Sequence, residues 1–232
     1  MEPGVYNISS KIHIPPFATI KGAGIDKTII KSTSTIQQAF TTVNDTSIPG
    51  TPASDATSTT LNQARNIKIS DLTIEVVSQT ALELVSCKNS EFNNIKLKGP
   101  WVSNSSVGVT QGILFDSLST AVTCQHNQFN NCKIEGFTNG IKSDDDIMHN
   151  VWKNCEIQTC WKGIDFGSAT TLGTSGQLTG PINNIISNSY FDSISQHAIH
   201  ITAGNNNVSE QNRFFNCGND MGRPAPAPTP VR

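Results

Sequence analysis

The stretch "CKNSEFNNIKLKG" at residues 87–99 returns as "CQHNQFNNCKIEG" at 124–136, with Cys, Phe, the second Asn, Lys and the final Gly in register. Extended in both directions, the match becomes one frame: an apolar or aromatic residue, any residue, Asn or Asp, any two residues, then an apolar residue. Copies centre on Asp71, Asn94, Asn131, Asn154, Asn188 and Asn212. Their leading positions are Ile69, Phe92, Phe129, Trp152, Ile186 and Glu210, and their trailing ones Ile74, Leu97, Ile134, Ile157, Phe191 and Phe215. The centres recur at a base period of about 23, widened by an insertion at two of the steps, which is the signature of a solenoid. The Leu grid of a leucine-rich repeat is absent. Asn, Ser, Thr, Ile and Val fill the copies, so strand and turn are the local preference.

A second strand recurs before each later copy: "TALELV" (80–85), "QGILFD" (111–116), "NGIKSD" (139–144), "KGIDFG" (162–167) and "HAIHIT" (197–202). In each, Gly or Ala is followed by Ile or Leu. Several short strands per repeat predict an all-β, right-handed parallel β-helix of seven to nine coils, each coil resting on the last at about 4.8 Å. In that arrangement Asn tolerates left-handed corners, and stacked Asn side chains pass amide hydrogen bonds up the column. Phe, Trp, Ile and Leu stack inside. Cys87 over Cys124 and Cys132 over Cys155 become small apolar rungs, read as free thiols although the spacing also permits a disulfide. The same residues, with "PGVYNISSKIHIPPFATIKGAGIDKTII" (3–30), resemble the pectate-lyase-like superfamily.

Composition narrows the partners. Sixteen basic and eighteen acidic residues in 232 give a net charge of −2, so nothing marks the chain as a binder of nucleic acid or an anionic membrane. No apolar run has the length of a membrane span, and the first residues lack the basic and apolar regions of a secretory signal. Of four Arg, none falls between 66 and 212. Six cysteines form no paired zinc-ligand spacing, and neither metal nor cofactor is expected. The β-helix is expected over 1–221, with 33–62 as a surface excursion, further insertions in 100–123 and 167–180, and 222–232 as a Pro/Ala-rich tail. The chain reads as part of a larger protein.

Aligning the second strand places Glu83, Leu114, Lys142, Asp165 and His200 in one outward column. Carboxylates one rung apart have the separation of a retaining glycosidase, and two rungs apart that of an inverting one. The candidate catalytic set is therefore Asp144, Asp145, Asp146 and Asp165 for a hydrolase, or Lys142 as the base of a lyase, flanked by Asp116 and His149. Trp101, Trp161 and His200 are candidates for contact with sugar rings. The plainer reading is a solvated charge ladder, with three Asp supplying turn chemistry. His197 and His200 lie three apart in a strand pattern, one in and one out, which argues against a shared metal.

What the family resemblance implies is mixed. Polygalacturonase-like enzymes combine an Asp pair with Gly-His-Gly and Arg-Ile-Lys; only the Asp run is present here. Pectate lyases use an Arg base that this chain lacks over its repeats. The Asn-rich, Arg-poor rungs and "NNVSEQNRFFNCGND" look similar to β-helix segments of virion fibre proteins. That likeness implies a structural or receptor-recognition module of a phage tail fibre or tailspike: a homotrimer on the virion, joined to other virion proteins and binding host surface polysaccharide. The alternative is a secreted polysaccharide-degrading enzyme, either a glycoside hydrolase or a lyase.

Overall fold

The computed structural model describes residues 1–33, 38–42, 64–102, 108–116, 123–143, 147–167, 180–202 and 204–218. Every strand pairing among them is parallel, and the described residues contain no helix. One coil shows how the chain travels. Gln128–Asn130 and Lys133–Glu135 lie in a thirteen-stranded sheet, Asn139–Ser143 in a seven-stranded sheet and Ile147–Met148 in a two-stranded one. Val151–Lys153 then pairs with Gln128–Asn130, so the chain has returned to its starting sheet one rung on. The architecture is a parallel β-solenoid.

The strand register carries the repeat frame, with one correction. Ile69, Phe92, Phe129, Trp152 and Ile186 are successive partners, but Ile186 pairs with Ser209 rather than Glu210, and Phe191 with Phe214 rather than Phe215. The last step therefore equals the base period. The left-handed corner there is Gln211 (φ 54°), which continues the column of Asp71, Asn94, Asn131, Asn154 and Asn188, all with φ between 50° and 59°. Sequence matching favours Asn212 because that residue type suits a corner; the hydrogen-bond register decides otherwise.

A second correction concerns the amide ladder. In the corner column only Asn94 Nδ2 donates along the stack, to Asp71 at 2.8 Å, and Asn131, Asn154 and Asn188 are exposed. The continuous ladder lies four residues earlier in each coil, where Ser90, Asn127, Asn150, Asn184 and Asn207 face inward. Backbone N–H groups of Ser90, Asn127, Asn150 and Asn184 donate to the side-chain oxygen one coil on at 3.0–3.1 Å. The Nδ2 groups of Asn127, Asn150 and Asn184 reach the same oxygens and also a carbonyl of the preceding coil. The buried polar groups of this ladder survive in the interior because they are paired from coil to coil.

Apolar columns fill the rest. Phe92 and Phe129 stack at 4.7 Å between centroids, Phe129 and Trp152 at 5.4 Å, and Phe115 meets Phe129 edge-on at 5.8 Å from the opposite sheet. Stacks of this kind add to the gain from burying each ring, itself about 1.5–3 kcal/mol. The recurring Gly or Ala at the head of the second strand has a steric cause. A Cβ on Gly112 would lie 2.5 Å from the Gly140 carbonyl oxygen of the neighbouring strand and 2.6 Å from Ile134 Cγ2 of the facing sheet, so the adjacent rung and the opposite wall leave little room for a side chain there.

All six cysteines are free, five buried and Cys217 half-buried. Burial pushes the Cys87 and Cys160 thiols up to about 12. A thiol reagent at pH 8 is expected to modify Cys217 promptly and the other five only after denaturation, read by absorbance of the released chromophore. Replacing Asn150 with Ala strands two donors of Asn127 and should cost about 2–4 kcal/mol in urea unfolding. Asn154→Gly, at an exposed left-handed corner, should change stability by no more than about 0.5 kcal/mol.

Candidate functional site

The outward column of the seven-stranded sheet runs Thr41, Glu83, Leu114, Lys142, Asp165, His200, each the Cα partner of the next. Alternation in a strand puts these side chains on the face opposite the Ile and Leu that fill the core. The column is not uniformly open. Glu83 is only 7% exposed, and its carboxylate accepts from Gln38 Nε2 at 3.0 Å and from the Thr41 hydroxyl. Leu114 then separates it from Lys142.

Asp165 is the centre of the lower half. Its side chain is 13% exposed, and its two oxygens accept from Lys162 Nζ at 2.6 Å and His200 Nδ1 at 2.7 Å. Burial alone would raise its pKa. The hydrogen bonds from Lys162 and His200, with their charges, outweigh that and hold the carboxyl below its ordinary value. With Nδ1–H committed to Asp165, His200 turns Nε2 toward the Thr202 hydroxyl at 3.3 Å; the tautomer follows from this partner assignment. The His197 ring stacks on His200 at 5.2 Å, so the two rings lie together rather than on opposite faces as expected. His197 precedes the strand Ile199–Ile201 and escapes its alternation.

Chemically, this is an ionised carboxylate orienting an imidazole through its Nδ1. It is not a carboxylic acid pair. Glu83 and Asp165 stand three rungs apart, about 14 Å at 4.8 Å per rung, beyond the roughly 5–9.5 Å that either glycosidase geometry requires. The other candidate carboxylates are Asp116, exposed at the end of its strand in the same sheet, and Asp144, Asp145 and Asp146, which lie outside the described residues. Lys142, half-buried, is the rung neighbour of Asp165. No group of three or more His, Cys, Asp or Glu suited to a metal ion occurs among the described residues.

Two candidate sugar contacts change character. Trp101 and Trp161 are 1% and 7% exposed, so neither indole presents a face to a ligand; their neighbouring polar loops suggest an exposure that packing removes. His149 is not beside Asp165 in the column. It occupies a left-handed corner with φ 56° and stacks on His126, 4.8 Å between centroids and 2° between planes. Sequence reasoning does not single out His126. The signal is nonetheless present, because the repeat places His126 over Asn89 and His149 over His126.

The model of the "Rhamnogalacturonase A/epimerase, pectate lyase-like" family matches residues 2–165, and the chain belongs to that family. No curated protein matches it. Among solved structures, the N-terminal fragment of bacteriophage Phi29 gene product 12 shares 15% identity over 92% of this chain and 38% of its own, with a TM-score of 0.47. Geobacillus virus E2 ORF18 shares 15% over 91% and 53%, at 0.37. A rhamnogalacturonan lyase shares 14% over 93% and 65%, at 0.44. The chain therefore spans about two fifths of the Phi29 fragment, and at these scores the likenesses carry no functional argument.

The depressed pKa of Asp165 has a sign. Its ionised form stabilises the fold above the ordinary value of 3.8, and the contribution fades as pH falls through the lower folded value. Asp165→Asn should cost about 1–2 kcal/mol of unfolding free energy at pH 7. Near pH 2.5 the difference from the parent should shrink, read from urea midpoints at the two pH values.

Proposed function

We propose that the chain is a glycan-recognition module of a virion, the solenoid of a phage tail fibre or tailspike that binds host surface polysaccharide. The observation that carries the choice of recognition over turnover is the state of Asp165, ionised and held by Lys162 and His200 with no second carboxylate of its column within catalytic reach. Family membership supports a saccharide as the ligand class. The paired amide ladder and the parallel rungs support a stiff rod with long faces. The virion assignment rests on the Asn-rich, Arg-poor composition of the rungs and their likeness to fibre segments. It brings with it a homotrimer attached to other virion proteins. The solenoid is taken as right-handed, the sense nearly all parallel crossovers adopt, with seven to nine coils over 1–221 and a tail at 222–232.

The second reading is polysaccharide cleavage, favoured by the family's own description and by the Asp165–His200 dyad with Lys142 beside it. In that case Asp144, Asp145 or Asp146 supplies the missing acid and the protein is secreted.

A glycan array and an assay of reducing-sugar or unsaturated-uronate release on the same polysaccharides separate the two readings. Retention of a host glycan without product release is expected. Release that disappears in Asp145→Asn and Asp165→Asn would overturn the recognition reading in favour of the enzyme.

A further inference from the structure

One corner of the solenoid departs from the rule that shapes the rest. Partners along Arg65, Lys88, Gln125, Met148, Ile182 and Asn205 align the residues that follow them, and all six of these adopt the left-handed conformation, with φ between 49° and 56°. Four are Asn: Asn66, Asn89, Asn183 and Asn206. The corner needs nothing more than Asn, whose short amide suits that backbone. Two successive coils carry His126 and His149 instead, both exposed, their rings parallel and stacked.

Beside them opens a recess of about 400 Å³ lined by Asn89, Ser90, Glu91, His126 and Gln128. Its wall is built of polar residues throughout. The one carboxylate on it, Glu91, is offset by Lys68 at 3.2 Å, and Lys88 adds a positive charge that acts on His126. The corner is thus net positive even with both imidazoles neutral, on a chain whose overall charge is −2. Each imidazole offers at least one N–H donor, and two when protonated, with the pair set one rung apart.

We infer that the His126–His149 corner and its recess form a binding site for the anionic groups of an acidic glycan, a carboxylate or a phosphodiester. This deepens the recognition reading and rests on it. Partial burial, the neighbouring His149 and Lys88 push the His126 pKa down in the free protein. A bound anion relieves that repulsion, so the imidazole titrates at higher pH when the site is filled. The charged groups facing His126 are Lys88 and His149, with Glu91 and Lys68 paired across the recess.

Calorimetric titration with oligogalacturonate, a glycerol-phosphate oligomer and neutral maltohexaose tests the inference on three proteins. These are the parent chain, His126→Asn/His149→Asn, and Asn154→Gly as a corner change elsewhere. Asn already occupies the other four positions of the column, so the double variant keeps the fold; its urea midpoint reports this directly. At least one anionic oligomer should bind the parent and Asn154→Gly alike and bind the double variant at least ten-fold more weakly, while maltohexaose shows no such difference. Which anion binds identifies the charge source. The His126 ring-proton NMR titration should move to higher pH in its presence. Equal binding to parent and double variant, no binding of either anionic oligomer, or an unmoved His126 titration would each overturn the site. The recognition reading fails separately, if the parent retains no host glycan on the array; a host glycan held equally by the double variant sinks the site alone.

Discussion

Everything in this molecule depends on the parallel register between coils. Once Ile69, Phe92, Phe129, Trp152 and Ile186 are fixed above one another, every other residue of the coil acquires a vertical neighbour of the same rank, and chemistry becomes columnar. Apolar columns bury as continuous stacks, so no rung has to supply a core of its own. Polar columns are admitted only where hydrogen bonds run from coil to coil. The left-handed corners are the third requirement, for they turn the chain without breaking the ladder, and among residues that carry a side chain Asn meets it at little strain.

The fold is legible because those constraints leave letters behind. A short base period, Gly or Ala heading the second strand and Asn at most of the turns are consequences of stacking, close backbone approach and positive φ. The misreadings arise where two constraints favour the same residue. Asn serves both as a left-handed corner and as a buried ladder rung, and the sequence does not label which; thus Asn94, Asn131 and Asn154 draw the attention that belongs to Asn127, Asn150 and Asn184. In the final coil, Gln211 takes the corner and Asn212 caps Ser189 N–H at 2.8 Å, a division of labour only hydrogen-bond geometry reveals.

The candidate site is less legible for a different reason. The repeat alignment places the outward column correctly, but what a carboxylate can do depends on its neighbours in three dimensions. Lys162 lies three residues before Asp165 in the same strand, and His200 one coil away; together they convert a potential acid into a fixed anion. Trp101 and Trp161 illustrate the converse, since a residue beside a polar loop in sequence is not thereby at the surface. His126 and His149 stand out only once the corner column is assembled and four Asn are seen to surround them.

The inward amide ladder has a direction, and that direction bears on how the rod is built. In each rung the backbone N–H points toward the carboxyl-terminal end, and the oxygen that satisfies it belongs to the coil made next: Asn127 waits for Asn150, and Asn150 for Asn184. A coil newly settled on the growing stack therefore displays unmet donors at its leading edge. As the ribosome extends the chain, each arriving turn delivers the acceptor its predecessor lacks, so vectorial synthesis and the polarity of the ladder run the same way.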